Sequence, residues 1–231
     1  RNQVGQSLSS FFGYNVLGYF GSQAEVDNSP AQDGAGIGRF KYEDVNGDGV
    51  ITPDDRTFIG SPVAPYSGGL NFGLQYKSWD FNVYTAYSVG NEIFNMSKWF
   101  TDFFGTFEGA GKGERAKQSW TPELGNDALA PIWESVSNIS TSGAENSWYV
   151  EDGSYLRVQN VSLGYNLSSE IASKLGLKRA RIAASANNIL TLTNYSGLDP
   201  SVGGDADSRF GVDVGNYPVT PSYNVVLNLG F

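Results

Sequence analysis

Apolar and polar residues alternate without a break over residues 222–231. Tyr223, Val225, Leu227, Leu229 and Phe231 fall on one face of an extended chain, and Asn224, Val226, Asn228 and Gly230 on the other. Successive strand side chains point to opposite faces, so this period of two predicts a strand with one apolar face. Residues 66–76 repeat the pattern: Tyr66, Leu70, Phe72, Leu74 and Tyr76 oppose Ser67, Gly69, Asn71, Gly73 and Gln75. So do residues 79–89, where Trp79, Phe81, Val83, Tyr87 and Val89 oppose Asp80, Asn82, Tyr84, Ala86 and Ser88. Lys77-Ser78 between them has the length of a tight hairpin turn. Residues 154–167 are regular in their later half (Val161, Leu163, Tyr165, Leu167), but Leu156 and Val158 have the opposite parity. That flip predicts a bulge, or a strand continuing past its apolar stretch. Residues 178–190 place Ala180, Ile182, Ala184 and Ala186 on one face, and a sixth strand is expected within residues 8–19.

Order and spacing turn these strands into a fold class. Ten residues rise about 34 Å and, tilted by about 40°, approach the ~25 Å apolar band of an outer-membrane barrel. The terminal aromatic strand (Tyr223, Val225, Leu227, Leu229, Phe231) resembles the assembly signal of bacterial outer-membrane β-barrels. With Phe231 at the inner side, alternation puts the connections 20–65, 90–153 and 191–221 outside and the turns 77–78 and 168–177 inside. Every long connection then lies outside, an asymmetry typical of such barrels and one that a soluble sandwich has no reason to show. Tyr76, Trp79, Tyr165 and Phe231 at one end, and Tyr66, Tyr87 and Tyr223 at the other, read as two aromatic girdles. The expected fold is all-β: a fragment of an antiparallel transmembrane β-barrel with long extracellular loops. Six strands cannot enclose a path for a large solute, so the other strands come from elsewhere. A short helix is expected in 168–177, capped by Ser168 or Ser169 and stopped at Gly176, and another near 114–120.

Composition sharpens this picture. The 29 Gly, 14 Phe, 13 Tyr and 5 Trp, with 17% charged residues, favour an aromatic-rich, turn-rich all-β chain. No run of about 18 apolar residues exists to form a transmembrane helix. The absence of cysteine excludes disulfide staples only. A net charge of −9 argues against nucleic acid and against an anionic membrane surface as partner. The chain opens at Arg1 with neither Met nor a signal peptide, so an exported barrel protein is expected to be longer, with this chain as its C-terminal piece. There is no histidine, which removes Ser-His-Asp and His-metal chemistry. The carboxylate pairs Asp54/Asp55 and Asp205/Asp207 sit in turn-rich loops without a visible partner, so no enzyme is expected.

The polar strand faces supply candidates for contact with lumen or solute: Asn71, Gln75, Asp80, Asn82, Arg179 and Arg181. Trp99, Phe103, Phe104, Trp120, Trp133 and Trp148 in the long connections either stack on sugar rings, bury against a partner, or pack on one another. The acidic run Asp44-Val45-Asn46-Gly47-Asp48-Gly49-Val50-Ile51-Thr52-Pro53-Asp54-Asp55 follows the twelve-residue calcium-loop pattern. Ca²⁺ takes six to eight oxygens, from positions 1, 3 and 5, the backbone carbonyl at 7, and a carboxylate at 12, with Gly at 6 for the turn. Asp44, Asn46, Asp48, Val50 and Asp55 fill those roles and Gly49 the turn. Position 12 is Asp rather than the longer Glu, and flanking helices are not evident. A tight Asx-rich turn without an ion is the plain alternative.

Several segments together resemble a known family. Lys41-Tyr-Glu-Asp-Val-Asn-Gly-Asp-Gly-Val-Ile-Thr-Pro-Asp-Asp-Arg-Thr-Phe-Ile-Gly60, then Ser61-Pro62 and Pro65-Tyr66, is similar to the C-terminal third of SusC-like TonB-dependent transporters. Ser119-Trp-Thr-Pro122, Glu151-Asp-Gly-Ser-Tyr-Leu-Arg157 and Val161-Ser-Leu-Gly-Tyr-Asn-Leu167 continue the likeness. Asn187-Asn188, Tyr195-Ser-Gly-Leu-Asp-Pro200, Tyr217-Pro218 and the terminal strand follow in the same order. The resemblance implies a 22-stranded barrel in the outer membrane with an N-terminal plug. It further implies coupling to the TonB–ExbB–ExbD system through an upstream region, a SusD-like surface lipoprotein as partner, outer-membrane lipid around the barrel, and an oligosaccharide or peptide cargo. The rival reading is a secreted calcium-binding β-domain that adheres to glycans.

Overall fold

The computed structural model describes residues 1–106, 109, 111–204 and 209–231, so the Asp205/Asp207 pair lies outside the described residues. Along the chain run β1 (Phe11–Gly13), β2 (Val16–Tyr19), α1 (Gln23–Asp27), β3 (Phe40–Tyr42), β4 (Thr57–Gly60), β5 (Tyr66–Tyr76), β6 (Trp79–Val89), β7 (Glu92–Asn95), α2 (Ser97–Thr101), β8 (Val150–Asp152), β9 (Tyr155–Asn166), α3 (Ser169–Lys174), β10 (Arg179–Thr193), β11 (Val212–Asp213) and β12 (Ser222–Gly230). They divide into two compact units. One comprises Arg1–Val63, Glu92–Asp152 and Ser201–Asn216; the other comprises Ala64–Asn91, Gly153–Pro200 and Tyr217–Phe231.

The second unit is one antiparallel sheet of five strands in the order β12-β10-β9-β6-β5. Its strands are the five that the alternation predicts. β10 runs to Thr193, three residues past the expected end. The register aligns apolar residues into rows across all five strands. Leu74, Phe81, Leu163, Ala184 and Val225 make one row; Tyr76, Trp79, Tyr165, Ile182 and Leu227 make the next; Phe72, Val83, Val161, Ala186 and Tyr223 make a third. Most of these side chains are exposed; Val225 and Tyr223 each keep 76% of their surface. Such a contiguous apolar face in water would be an aggregation or membrane surface. With strands of 9 to 15 residues, enough to cross a hydrocarbon layer, the membrane is the natural solvent for it.

The parity flip in β9 is a bulge. Asn160 pairs with Tyr84 and Asn187, whereas Val158 pairs with Thr85 and Leu190, so Gln159 is unmatched on one side and Asn188-Ile189 on the other. Asn188 takes φ 53°, a left-handed conformation that asparagine tolerates better than most residues. The turn 168–177 contains α3, capped by the Ser168 hydroxyl, which accepts from the Ile171 N–H. Gly176, at φ 72°, ends it as expected.

The first unit is built differently. Three small sheets (β1-β4, β2-β3 and β11-β7-β8) surround an aromatic core. Tyr14 stacks on Tyr42 at 4.8 Å, Phe94 on Tyr149 at 5.2 Å, and Phe103 meets Trp148 edge-on at 5.4 Å. Two buried amides join its chain segments. Asn146 donates to the Tyr42 hydroxyl and accepts from the Trp148 N–H; Gln32 donates to the Phe40 carbonyl and the Ser140 hydroxyl and accepts from the Tyr42 N–H. The expected sixth sheet strand within 8–19 is corrected here. That stretch forms β1 and β2, which pair with β4 and β3 in this unit and do not join the five-stranded sheet. The helix expected near 114–120 is a 3-10 turn, Glu114–Gln118.

The bulge gives a direct test. Asn188→Val puts a β-branched residue at positive φ, a cost of about 1–3 kcal/mol, whereas Asn188→Gly is neutral. On heat-modifiability electrophoresis of the full-length protein, the Val variant should unfold at lower temperature and the Gly variant at the wild-type temperature.

Candidate functional site

The polar face of the sheet gathers the predicted contact residues. Asn71, Gln75, Asp80, Asn82, Arg179 and Arg181 all share the face opposite the apolar rows. Their geometry is more specific than a polar lining. Arg181 on β10 reaches across β9 to Asp80 on β6 with two bonds, Nη2 to Oδ2 at 2.5 Å and Nε to Oδ1 at 3.2 Å. The residue under this bridge is Gly164. A Cβ there would lie 2.2 Å from Arg181 Nη2 and 2.6 Å from both Asp80 oxygens. The glycine therefore leaves the space in which a two-pronged ion pair spans three strands. Further along the face, Asn160 donates to Asn187 at 2.7 Å and Asn187 to the Ser222 hydroxyl at 3.0 Å, an amide chain through three neighbouring strands. Above it, buried Arg157 donates to Thr191 and binds Asp199, whose other oxygen accepts from the Val219 N–H. Asp80–Arg181 and Arg157–Asp199 offset their own charges, so the face between them presents amides and hydroxyls.

The acidic loop closes on itself. Asp44 accepts from the N–H groups of Gly47 and Gly49, Asn46 from Asp48, and Asp48 from Val50. Asp55 is fully buried and holds the loop shut. It accepts from the N–H groups of Val45, Asn46 and Thr52 and lies 3.4 Å from the Thr52 hydroxyl, completing a capping box. Burial alone raises the Asp55 carboxyl, but these donors outweigh it and hold its pKa below the usual carboxylate value. Among the described residues, no three carboxylates converge as a metal cluster. Cation binding here would exchange N–H···O bonds for metal bonds.

Aromatic candidates separate by burial. Phe103 and Trp120 are core residues, and Trp99 and Trp148 pack against that core. Phe104 and Trp133 stay exposed and meet edge-on at 5.4 Å. Sequence reasoning missed a buried charge cluster in the same unit. The Lys98 ammonium binds Glu151 at 2.7 Å, donates to the Trp148 carbonyl at 2.7 Å and lies 4.6 Å from the Trp148 ring; Arg115 binds Asp102 at 3.0 Å. Burial pushes Lys98 down against the pull of Glu151, and pushes the Asp102 carboxyl up against the Thr101 hydroxyl and Arg115. No spacing rule links these four positions.

A sheet apolar on one side, polar on the other and ion-paired across its strands is a piece of outer-membrane barrel wall. No family model matches the chain. Among individual proteins, it is 33% identical over 99% of its length to TonB-dependent receptor P26 of Formosa agariphila, covering 23% of that protein. It is 23% identical over its whole length to the TonB-dependent receptor SusC of Bacteroides thetaiotaomicron, covering 20% of it. A solved structure of the RagAB peptide transporter superposes with a TM-score of 0.71 at 23% identity, over 96% of this chain and 22% of the other. The chain is a portion of a SusC-like TonB-dependent receptor, its sheet part of a multi-pass outer-membrane β-barrel, and it spans about a quarter of its relatives' length. A secreted soluble β-domain does not fit this fold.

Substitutions at Gly164, Asp80 and Asp55 test the geometry. Gly164→Val forces the Asp80–Arg181 pair apart and should cost about 1–3 kcal/mol of barrel stability. In an Asp80→Ala background the same change should cost distinctly less, read by the same heat-unfolding gels. Asp55 has a lowered native pKa, so its stabilisation is present at neutral pH. It fades as the pH falls from about 4 through the native value. Pepsin cleavage within residues 44–55 should rise steeply over that window in wild type, whereas Asp55→Asn should begin more open and change little with pH.

Proposed function

We propose that this chain is the loop-bearing barrel wall of an importer that takes oligosaccharides or peptides across the outer membrane, driven by the TonB–ExbB–ExbD system and working with a SusD-like surface lipoprotein. The whole-length match to TonB-dependent receptors carries this reading, and the name of the RagAB peptide transporter adds peptides to the cargo classes. In this arrangement the Lys77-Ser78 turn and α3 face the periplasm. The three segments of the first unit are extracellular; Glu92–Asp152 and Ser201–Asn216 run between sheet strands, and Arg1–Val63 leads into β5 at the same end as they do. No step needs covalent chemistry. The amide and hydroxyl face, with Asn71, Gln75, Asp80, Asn82, Arg179 and Arg181, meets plug or solute. Phe104 and Trp133 are the exposed ring surface for cargo or lipoprotein. Tyr223, Val225, Leu227, Leu229 and Phe231 serve as the assembly signal.

Residues 44–55 add a structural calcium site in this proposal, with Asp44, Asn46, Asp48 and the Val50 carbonyl as ligands and Asp55 holding the loop. At about 10⁻⁴–10⁻³ M, the affinity of extracellular modules, such a site fills outside the cell. Calcium should raise the unfolding temperature of wild type and leave Asp48→Asn unchanged.

Purification of the tagged full-length protein from outer membranes in detergent tests the main reading. A co-purifying lipoprotein, and cargo released and identified by mass spectrometry, is the expected outcome. A protein that carries no lipoprotein and whose uptake survives loss of the TonB system would overturn it.

A further inference from the structure

We propose that α3 is a membrane-surface anchor that binds the headgroup phosphates of the phospholipid leaflet, with the proposed periplasmic orientation as its premise. The helix lies between β9 and β10, in contact with β10. Its Ala172 is buried, as is Ala180, the first β10 residue on the apolar face, opposite Leu229. The opposite flank is not covered by protein. Ile171 and Leu175 keep 47% and 63% of their surface, and Lys174 lies between them on the same side at the i, i+3, i+4 spacing. Ile171 on the helix and Leu175 at its C-cap keep about half or more of their surface, and β10, which the helix touches, carries Ala180 and Ile182 on the face assigned to lipid.

Cations collect at this end of the sheet. Lys77 stands in the β5–β6 turn, 5.3 Å from the Tyr76 ring; Lys174 ends α3 and Lys178 follows it. In register, this end carries the ring of Tyr76, Trp79 and Tyr165, with Trp79 packed on Tyr165 at 4.7 Å. Aromatic residues mark the depth of the membrane interface, and lysines just beyond it extend to phosphate while their stems stay in the apolar layer. The order along the sheet is therefore apolar rows, aromatic ring, then an apolar helix flank with three lysines. Glu170 is the single carboxylate in the helix. The net charge of −9 disfavours an anionic surface for the chain as a whole, so the match to anionic phosphate is local, carried by the three lysines at this strand end.

The test uses the full-length receptor in vesicles of phosphatidylethanolamine with phosphatidylglycerol. A tryptophan placed by Leu175→Trp should be quenched by lipids brominated near the top of the acyl chain. Unchanged emission in brominated and plain vesicles would place the flank in water and overturn the proposal. Native mass spectrometry should show phosphatidylglycerol retained several-fold over phosphatidylcholine, a preference reduced at least two-fold in Lys77→Gln/Lys174→Gln/Lys178→Gln. Equal retention by both proteins would overturn the headgroup contact while leaving the orientation intact. A preference for lipid A that the triple variant abolishes would place this end in the outer leaflet and sink the orientation itself.

Discussion

Hydrocarbon offers no hydrogen-bond partner, and the sheet is organised around that fact. Every backbone N–H and C=O within the membrane must bond to another strand. β6, β9 and β10 meet this on both edges; β5 and β12 are paired on one edge each. The other edge of each is a row of donors and acceptors that the remaining barrel must cover. The same requirement sets the side-chain pattern. Once strands pair in register, alternate residues line up in rows, and a row facing lipid must be apolar from strand to strand. The three apolar rows are the side-chain record of backbone pairing.

The two units solve burial in different ways. The sheet has no core of its own on its apolar side, where lipid takes the place of packed side chains. The first unit instead packs Phe11, Tyr14, Phe40, Tyr42, Phe94, Phe103 and Tyr149 together in a core of its own. Rings suit a unit with little regular structure, because each removes much apolar area per residue ordered. The cost of such a core is its buried polar groups: Asn146 meets the Tyr42 hydroxyl, Gln32 meets buried backbone and Lys98 pairs with Glu151, while the Tyr149 hydroxyl and the Trp120 indole N–H are buried without a hydrogen-bond partner.

The membrane strands were legible because lipid on one side and a polar lumen on the other force a strict period of two. Even the defect was legible: the misplaced parity of Leu156 and Val158 marks the bulge at Gln159. Residues 8–19 misled for a related reason. Phe11–Gly13 and Val16–Tyr19 are extended and rich in apolar residues as a barrel strand is, but they are two short strands that border an aromatic core and pair with β4 and β3. Phe103 and Phe104 show a second limit. They are neighbours in sequence, yet one is buried and the other exposed, and only the three-dimensional packing of 40–42 and 148–149 decides which. Lys98, Asp102, Arg115 and Glu151 each look like ordinary surface charges until the fold brings them together. In the sequence Gly164 is one more strand residue, because the reason for its missing side chain lies on strands β6 and β10.

The first unit is drawn from three separated stretches of chain, and its small sheet pairs β7 with β11, joining Phe94 to Val212. Such contacts close very long loops, which makes them late and slow to form. The stretch holding Phe11, Tyr14 and Phe40 therefore waits, with its rings unburied, until residues as distant as Asp213 have been brought to it. Over that interval the aromatic residues that stabilise the finished unit are its greatest aggregation hazard. The time for which this segment needs protection by a chaperone is set by the distance in sequence between the parts of its own core.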